Sequence, residues 1–247
     1  THNNGVDMDG TGIINMWSGP RNVSTALMYS FRQRSDTLVV DEPLYGHYLR
    51  VSGADHPAAL DVMQDMDCDG DRVMTTLLQQ PRQRPRLFLK QMAHHLCDMD
   101  HGFLERSRNL LLIRDPEQML PSLSRQIPEP TLRDTGLALQ WELLRELQLL
   151  GQRPLVIDAR DLLLDPQTIL KKVCQYLELE FEEAMLSWPA GAKPEDGIWA
   201  PHWYHRVHET TGFSPYRHKS APVADALKSL LEESSEYYQK LYQFSSH

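Results

Sequence analysis

The chain has 247 residues, 41% of them hydrophobic and 24% charged, an ordinary balance for a folded protein with a core, which excludes long disorder. Its formal net charge of −9 excludes wholesale binding to nucleic acid or to an anionic membrane, because both need a basic field. A few Arg and Lys gathered in one cleft can still hold an anion.

No stretch rich in Pro, Gly or Ser divides the chain, so residues 12–247 are expected to form one domain behind a flexible N-terminal stretch, residues 1–11. No apolar run approaches the roughly 20 residues that cross a bilayer, and the polar start Thr1-His2-Asn3-Asn4-Gly5 is unlike a signal peptide. Cys68, Cys97 and Cys174 are widely spaced and form no paired zinc or redox motif, which points to a reducing, cytoplasmic setting.

In chain order, Gly12-Ile13-Ile14-Asn15-Met16-Trp17 reads as a short buried strand, followed by a tight turn and a helical stretch from about Ser24 to Arg34. Thr37–Val40, Arg86–Lys90, Asn109–Ile113 and Pro154–Ile157 are the next apolar runs of strand length. Helical spacing fills residues 55–80 (Leu60, Met63, Val73, Leu77, Leu78), 132–150 and 223–242. Strands separated by helices favour parallel crossovers, which predicts an α/β fold with a mostly parallel five-stranded sheet flanked by helices. Ligands of such sheets lie beyond the carboxyl ends of the strands. The residues there are polar: Ser18 to Thr25, Asp41-Glu42-Pro43, Lys90-Gln91-Met92-Ala93-His94-His95 and Arg114-Asp115-Pro116.

The first of these loops has the parts of a phosphate cradle. Gly19 permits close backbone approach, the next helix offers amides at its N-terminus, Arg21 is a cation, and Ser24 and Thr25 are adjacent hydroxyls. It is not a Gly-x4-Gly-Lys-Ser/Thr loop, because its cation comes early and the Lys is missing. A plain Ser/Thr helix cap after a turn would read the same way.

Gly19-Pro20-Arg21-Asn22-Val23-Ser24-Thr25 resembles the loop that grips the 5′-phosphosulfate in the sulfotransferase family, usually Pro-Lys/Arg-Ser-Gly-Thr/Ser-Thr. Asn22 and Val23 replace the usual Ser and Gly, and a valine there is expected to send the loop along a somewhat different path. Leu110-Leu111-Leu112-Ile113-Arg114-Asp115-Pro116 with Ser122 is similar to the family's strand-Arg-x7-Ser element, which binds the nucleotide's 3′-phosphate. Asp115 caps the following helix with Pro116 in its first turn, and Ser122 lies about two turns in. Arg offers phosphate a fork of donors and Ser a single hydroxyl. Val156 to Pro166 is similar to a strand followed by the family's Glu/Asp-Asp-Leu-x3-Pro segment, so the likeness spans roughly residues 12–180.

The resemblance implies a P-loop-kinase-like sulfotransferase architecture. It also implies 3′-phosphoadenosine 5′-phosphosulfate as donor cosubstrate, no metal, and a small-molecule acceptor hydroxyl or amine. The loop from Gly19 to Thr25 would hold the 5′ end, Arg114 and Ser122 the 3′-phosphate, and Arg21 and Lys90 the charge of an in-line displacement. Glu42 sits in Asp41-Glu42-Pro43-Leu44, which looks like the Glu-Pro motif of several branches, where that Glu is a candidate base. Lys90 resembles the family's third-strand lysine, but Met92 stands where the cytosolic branch has its histidine base, leaving His94 and His95 as substitutes. Arg217 and Lys219 resemble a basic loop that closes over the nucleotide. The triplet His202, His205 and His208 could mimic a metal site, with pocket lining or aromatic packing as the alternative.

The acceptor cleft is expected to draw on residues 43–80 and 188–215. Two rival readings share the sheet: a small-molecule or nucleoside kinase, which needs a P-loop Lys and magnesium, and a nucleotide-binding module without catalysis.

Overall fold

A computed structural model describes residues 12–245; the flexible stretch expected at residues 1–11 lies outside the described residues. Five strands, β1 (Ile13–Ser18), β2 (Thr37–Asp41), β3 (Arg86–Met92), β4 (Arg108–Ile113) and β5 (Leu155–Asp158), form one parallel sheet in the order β2-β3-β1-β4-β5. From β1 the chain runs to the edge strand β2, returns to β3 between the two, and then crosses to β4 and β5 on the other side. The loop after β1 therefore sits at the switch point where such sheets bind ligands.

The helices in chain order are α1 (Ser24–Arg32), α2 (Tyr45–Ser52), α3 (Ala59–Asp65), α4 (Gly70–Gln79), α5 (Pro116–Gln126), α6 (Leu132–Thr135), α7 (Leu137–Leu149), α8 (Ala159–Leu164), α9 (Pro166–Tyr176), α10 (Ala200–Trp203), α11 (His205–His208) and α12 (Lys228–Tyr242). Successive strand side chains point to opposite faces. Ile13 and Trp17 pack in one core with Leu120 of α5, Leu144 of α7 and Leu241 of α12. Ile14 and Met16 pack in the other with Phe31 of α1 and Leu170 of α9. Both strand faces are thus covered, as a parallel sheet requires.

Polar residues inside this apolar sheet carry specific pairings. Asn15 Nδ2 and Trp17 Nε1 both donate to Asn109 Oδ1, at 3.2 and 3.0 Å, and Gln91 Nε2 donates to Asn15 Oδ1 at 3.2 Å. Gln140 of α7 donates through Nε2 to the carbonyls of Trp17 at 3.2 Å and Leu112 at 2.8 Å. It thereby ties together the ends of β1 and β4, the two strands that lead into Gly19 to Thr25 and into Arg114. Buried polar groups are tolerated when paired in this way.

Two helical stretches divide where spacing alone shows one. Residues 55–80 form α3 and α4, separated by an extended Met66, and Leu60 is 72% exposed instead of lining a core. Residues 132–150 break at Gly136, whose φ of 74° is easy only for glycine. Before it, Thr131 and Asp134 form a reciprocal capping box on α6. Among the described residues no helix is long and apolar enough to cross a membrane.

Candidate active site

Two glycines shape the first loop by letting backbones touch. A Cβ on Gly19 would lie 2.6 Å from the Thr135 carbonyl oxygen, and one on Gly136 would lie 3.2 Å from the Gly19 Cα. Asn22 Nδ2 donates to the Leu112 carbonyl at 3.2 Å, and its Oδ1 accepts from the Val23 amide at 2.8 Å, so the loop is stitched to the end of β4. Val23, where the family's usual residue is Gly, has an ordinary φ of −84°, and the left-handed residue of the loop is Arg21, at φ 52°. Such conformations in a non-glycine residue concentrate at functional sites. Val23 caps α1 with no side-chain hydrogen bond, leaving the first-turn amides beside Ser24 and Thr25 to an incoming anion.

Around this loop lies a group of cations. Arg21 Nε donates to Ser122 Oγ at 2.9 Å, and the Arg114 guanidinium donates to the Arg21 carbonyl, so both proposed phosphate readers meet the loop directly. Asp115 caps α5 by accepting from the Glu117 amide at 2.9 Å, as its position after β4 suggested. Lys219 is drawn in by a backbone clasp: its amide donates to Gln118 Oε1 at 2.7 Å, and Gln118 Nε2 donates to its carbonyl at 3.2 Å. Burial and then Arg206 and Arg125 lower the Arg21 pKa. Burial and then Arg21 lower that of Arg114. Burial, followed by Arg114, Arg206, Arg21 and Arg125, brings Lys219 down to about 8. Like charges crowded in this way repel until an anion shares them.

Arg21, Arg114, Ser122, Arg206 and Lys219 line one cavity of about 770 Å³, which continues past Glu42, Lys90 and His94 to Tyr45, His56, Trp199 and Trp203. Among the residues singled out from the motifs, Pro20 to Thr25, Glu42, Lys90, His94, Arg114 and Ser122 border it, as do Arg217 and Lys219. Gly19 stands behind the wall, against Thr135. Tyr45 and His56 of its lining come from residues 43–80, and Trp199, Trp203, Tyr204 and Arg206 from residues 188–215.

Glu42 follows β2 in a left-handed turn, φ 43°. Its Oε2 accepts from Lys90 Nζ at 3.1 Å, while Lys90 also lies 3.2 Å from Asp41 Oδ1 and donates to the Tyr204 hydroxyl at 2.5 Å. The single Tyr204 proton goes to Asp41, whose Oδ2 is 2.7 Å away, and its oxygen also accepts from Trp199 Nε1 at 3.0 Å. Asp41 further receives the Gly197 amide at 3.1 Å. Burial, opposed mainly by Lys90, pushes the Asp41 carboxyl up to about 6. Burial favours neutral Lys90, yet Asp41 and Glu42 outweigh it and hold the ammonium above its usual value. Burial and Asp41 raise Tyr204 well above an ordinary phenol.

Lys90 is therefore embraced by carboxyl groups, whereas the sequence reading gave it, with Arg21, the charge of the displacement. Sequence reasoning gave Asp41 no role and missed Tyr204, Trp199 and Arg206. The aromatic pair Trp203-Tyr204 amid the histidines was their only local signal.

His94 and His95 occupy a 3₁₀ turn after β3. His95 stacks on Tyr45 at 4.9 Å between ring centroids, and the two imidazoles lie 4.5 Å apart. Burial, followed by repulsion from His56, lowers His94 to about 3, and burial followed by His94 lowers His95 well below 6.5. Both stay neutral when folded, whereas unfolded imidazoles titrate near 6.5. Stability is thus full above about pH 6.5 and is lost as pH falls below it, by about 2 kcal/mol at pH 5 for His94, with His95 acting in the same direction. Urea midpoints at pH 7.5 and pH 5 measure this loss, and His95→Phe, which keeps an aromatic ring beside Tyr45, should shrink it. An unchanged acid sensitivity in that variant would remove His95 as a cause.

His208 Nε2 pairs with Asp196 Oδ2 at 2.9 Å. Among the described residues no group of three or more His, Cys, Asp or Glu is placed to hold a metal ion, so the His202, His205 and His208 triplet is not assembled as one.

Two curated Arabidopsis thaliana proteins, branched-chain-amino-acid aminotransferase-like proteins 1 and 2, are each 38% identical to this chain, over 238 and 203 residues. The matches cover 90% and 82% of the chain but only 43% and 36% of those proteins, so the chain spans less than half of their length. The sulfotransferase domain from the curacin biosynthetic pathway superposes with a TM-score of 0.55 at 20% identity, covering 94% of this chain and 98% of that one. A sulfotransferase from Alicyclobacillus acidocaldarius does so with a TM-score of 0.53 at 12% identity, covering 93% and 94%. At such identities these structures show a shared fold. The sulfotransferase domain family itself matches residues 12–242, nearly the whole chain, and the chain belongs to that family.

Proposed function

We propose that this protein transfers a sulfuryl group from 3′-phosphoadenosine 5′-phosphosulfate to the hydroxyl or amine of a small-molecule acceptor. The observation that carries the reading is the crowd of Arg21, Arg114, Arg206 and Lys219 at the ends of β1 and β4, in one cavity with Glu42. Such a set suits a ligand with anionic groups at two places. The donor, when bound, supplies an activated sulfuryl group on a nucleotide leaving group.

The chain's own residues bind, orient and accept a proton. Ser24, Thr25 and the amides of α1 hold the 5′ end, and Arg114 with Ser122 holds the 3′-phosphate. Glu42 takes the acceptor's proton. Its Oε2 is fixed by Lys90, while Oε1 makes no hydrogen bond among the described residues. His94 borders the same cavity, but an imidazole held to about 3 is a weak proton acceptor at neutral pH.

Calorimetry with adenosine 3′,5′-bisphosphate and adenosine 5′-phosphate tests the donor site. The bisphosphate should bind at least about tenfold more tightly, since a charged hydrogen bond contributes about 1.5–3 kcal/mol; equal affinities would reject the assignment. Turnover should also persist in excess chelator, because the cation set meets the donor's charge directly. Activity lost to chelator and restored by magnesium would point instead to a kinase.

A further inference from the structure

The group in transfer must pass between the loop after β1 and Glu42 after β2, where it needs a cation with N–H groups to offer. Lys90 has none spare. Its ammonium faces Asp41 Oδ1 at 3.2 Å, Glu42 Oε2 at 3.1 Å and the Tyr204 hydroxyl at 2.5 Å, three contacts for three protons, and two carboxyl groups stand against its single charge. Arg21 is partly engaged, with Nε on Ser122 at 2.9 Å.

The segment around α11 brings a third cation. Tyr204, the residue before α11, is buried and bonded to Asp41, Lys90 and Trp199, which fixes the start of α11 against the Glu42–Lys90 pair. Two residues on, Arg206 lines the same cavity and is exposed. Among the described residues it makes no ion pair or side-chain hydrogen bond. Its charge reaches the anion loop, being the largest charge effect on Arg21 after burial and the second on Lys219. An unpaired guanidinium held toward other cations is costly unless an anion is shared among them.

We propose that Arg206 is the cation that hydrogen-bonds the sulfuryl group as it passes to the acceptor, its planar fork meeting two sulfuryl oxygens, while Lys90 remains with Asp41 and Glu42 to orient the base. This inference rests on the function proposed above. It assigns the C-terminal segment a part in the chemistry: Tyr204 sets the base, and Arg206, on the same turn of chain, meets the group that the acceptor attacks.

The test compares the affinities of 3′-phosphoadenosine 5′-phosphosulfate and adenosine 3′,5′-bisphosphate, which differ by the sulfuryl group, in wild type, Arg206→Gln and Arg206→Lys. Arg206→Gln should weaken the sulfated nucleotide about tenfold and the bisphosphate by less than about twofold. Arg206→Lys should recover part of the loss, keeping the charge without the fork. Equal losses for both nucleotides would place Arg206 on a phosphate, and no loss for either would put it outside the site; each overturns the proposal. If wild-type protein binds neither nucleotide, the proposed function itself fails, a result distinct from both.

Discussion

Glu42→Gln is expected to lower the turnover number by about 10²–10⁴ while leaving donor affinity little changed, because the substitution keeps the shape of the side chain and removes its capacity to accept a proton. Glu42 lies outside the Arg21 and Arg114 cluster, and its contacts run to Lys90 and Tyr204. The loss should therefore appear in the chemical step and spare nucleotide binding. His94→Asn serves as the comparison, with a much smaller expected effect, since an imidazole at about 3 contributes little as a base near neutrality. Single-turnover rates with donor saturating measure both. A larger loss in the His94 variant would move the base to that position.

Arg114→Ala is expected to weaken adenosine 3′,5′-bisphosphate binding by tenfold or more and adenosine 5′-phosphate binding much less. The guanidinium also donates to the Arg21 carbonyl, so its removal loosens the left-handed turn of the anion loop as well as the 3′-phosphate contact. Arg114→Lys separates the two contributions: a lysine keeps the positive charge but cannot reach both partners with a planar fork. A loss of the same size for both nucleotides in Arg114→Ala would mean that this arginine works through the loop alone.

Much of the fold was legible because buried parallel strands read as short apolar runs between helices of 3.6-residue period. The five runs beginning at Gly12, Thr37, Arg86, Asn109 and Pro154 stand out for that reason, each within one residue of a strand start. Helix α2 did not stand out: Tyr45, His47 and Tyr48 are buried, and His47 hides by accepting from the Gly70 amide at 3.1 Å and meeting the Cys97 carbonyl at 2.6 Å. A helix with a buried histidine and tyrosines carries little hydrophobic periodicity.

The loop after β1 and the residues after β4 were legible through local patterns, namely a cation and two hydroxyls at a helix start, and an arginine after a strand with a serine two turns on. The surroundings of Glu42 and Lys90 were not, because their contacts join distant parts of the chain. Tyr204 meets Asp41 across 163 positions and Lys90 across 114, and no spacing rule connects them. The partition between Asp41 and Glu42 was equally hidden: they are neighbours in sequence, yet Asp41 has a fully buried side chain while that of Glu42 is 11% exposed. The left-handed turn at Glu42 separates a buried carboxyl from one that reaches the same lysine and tyrosine but also borders the cavity.

The most direct measurement is a transfer assay with donor labelled in its sulfuryl group, run against a broad panel of hydroxyl- and amine-bearing small molecules, with Arg114→Ala as background. The account predicts label on an acceptor in step with adenosine 3′,5′-bisphosphate formed, in excess chelator, and at background level in the variant. Tight binding of the labelled donor with no label moved to any acceptor would contradict it, and would make this member of the family a nucleotide-binding protein.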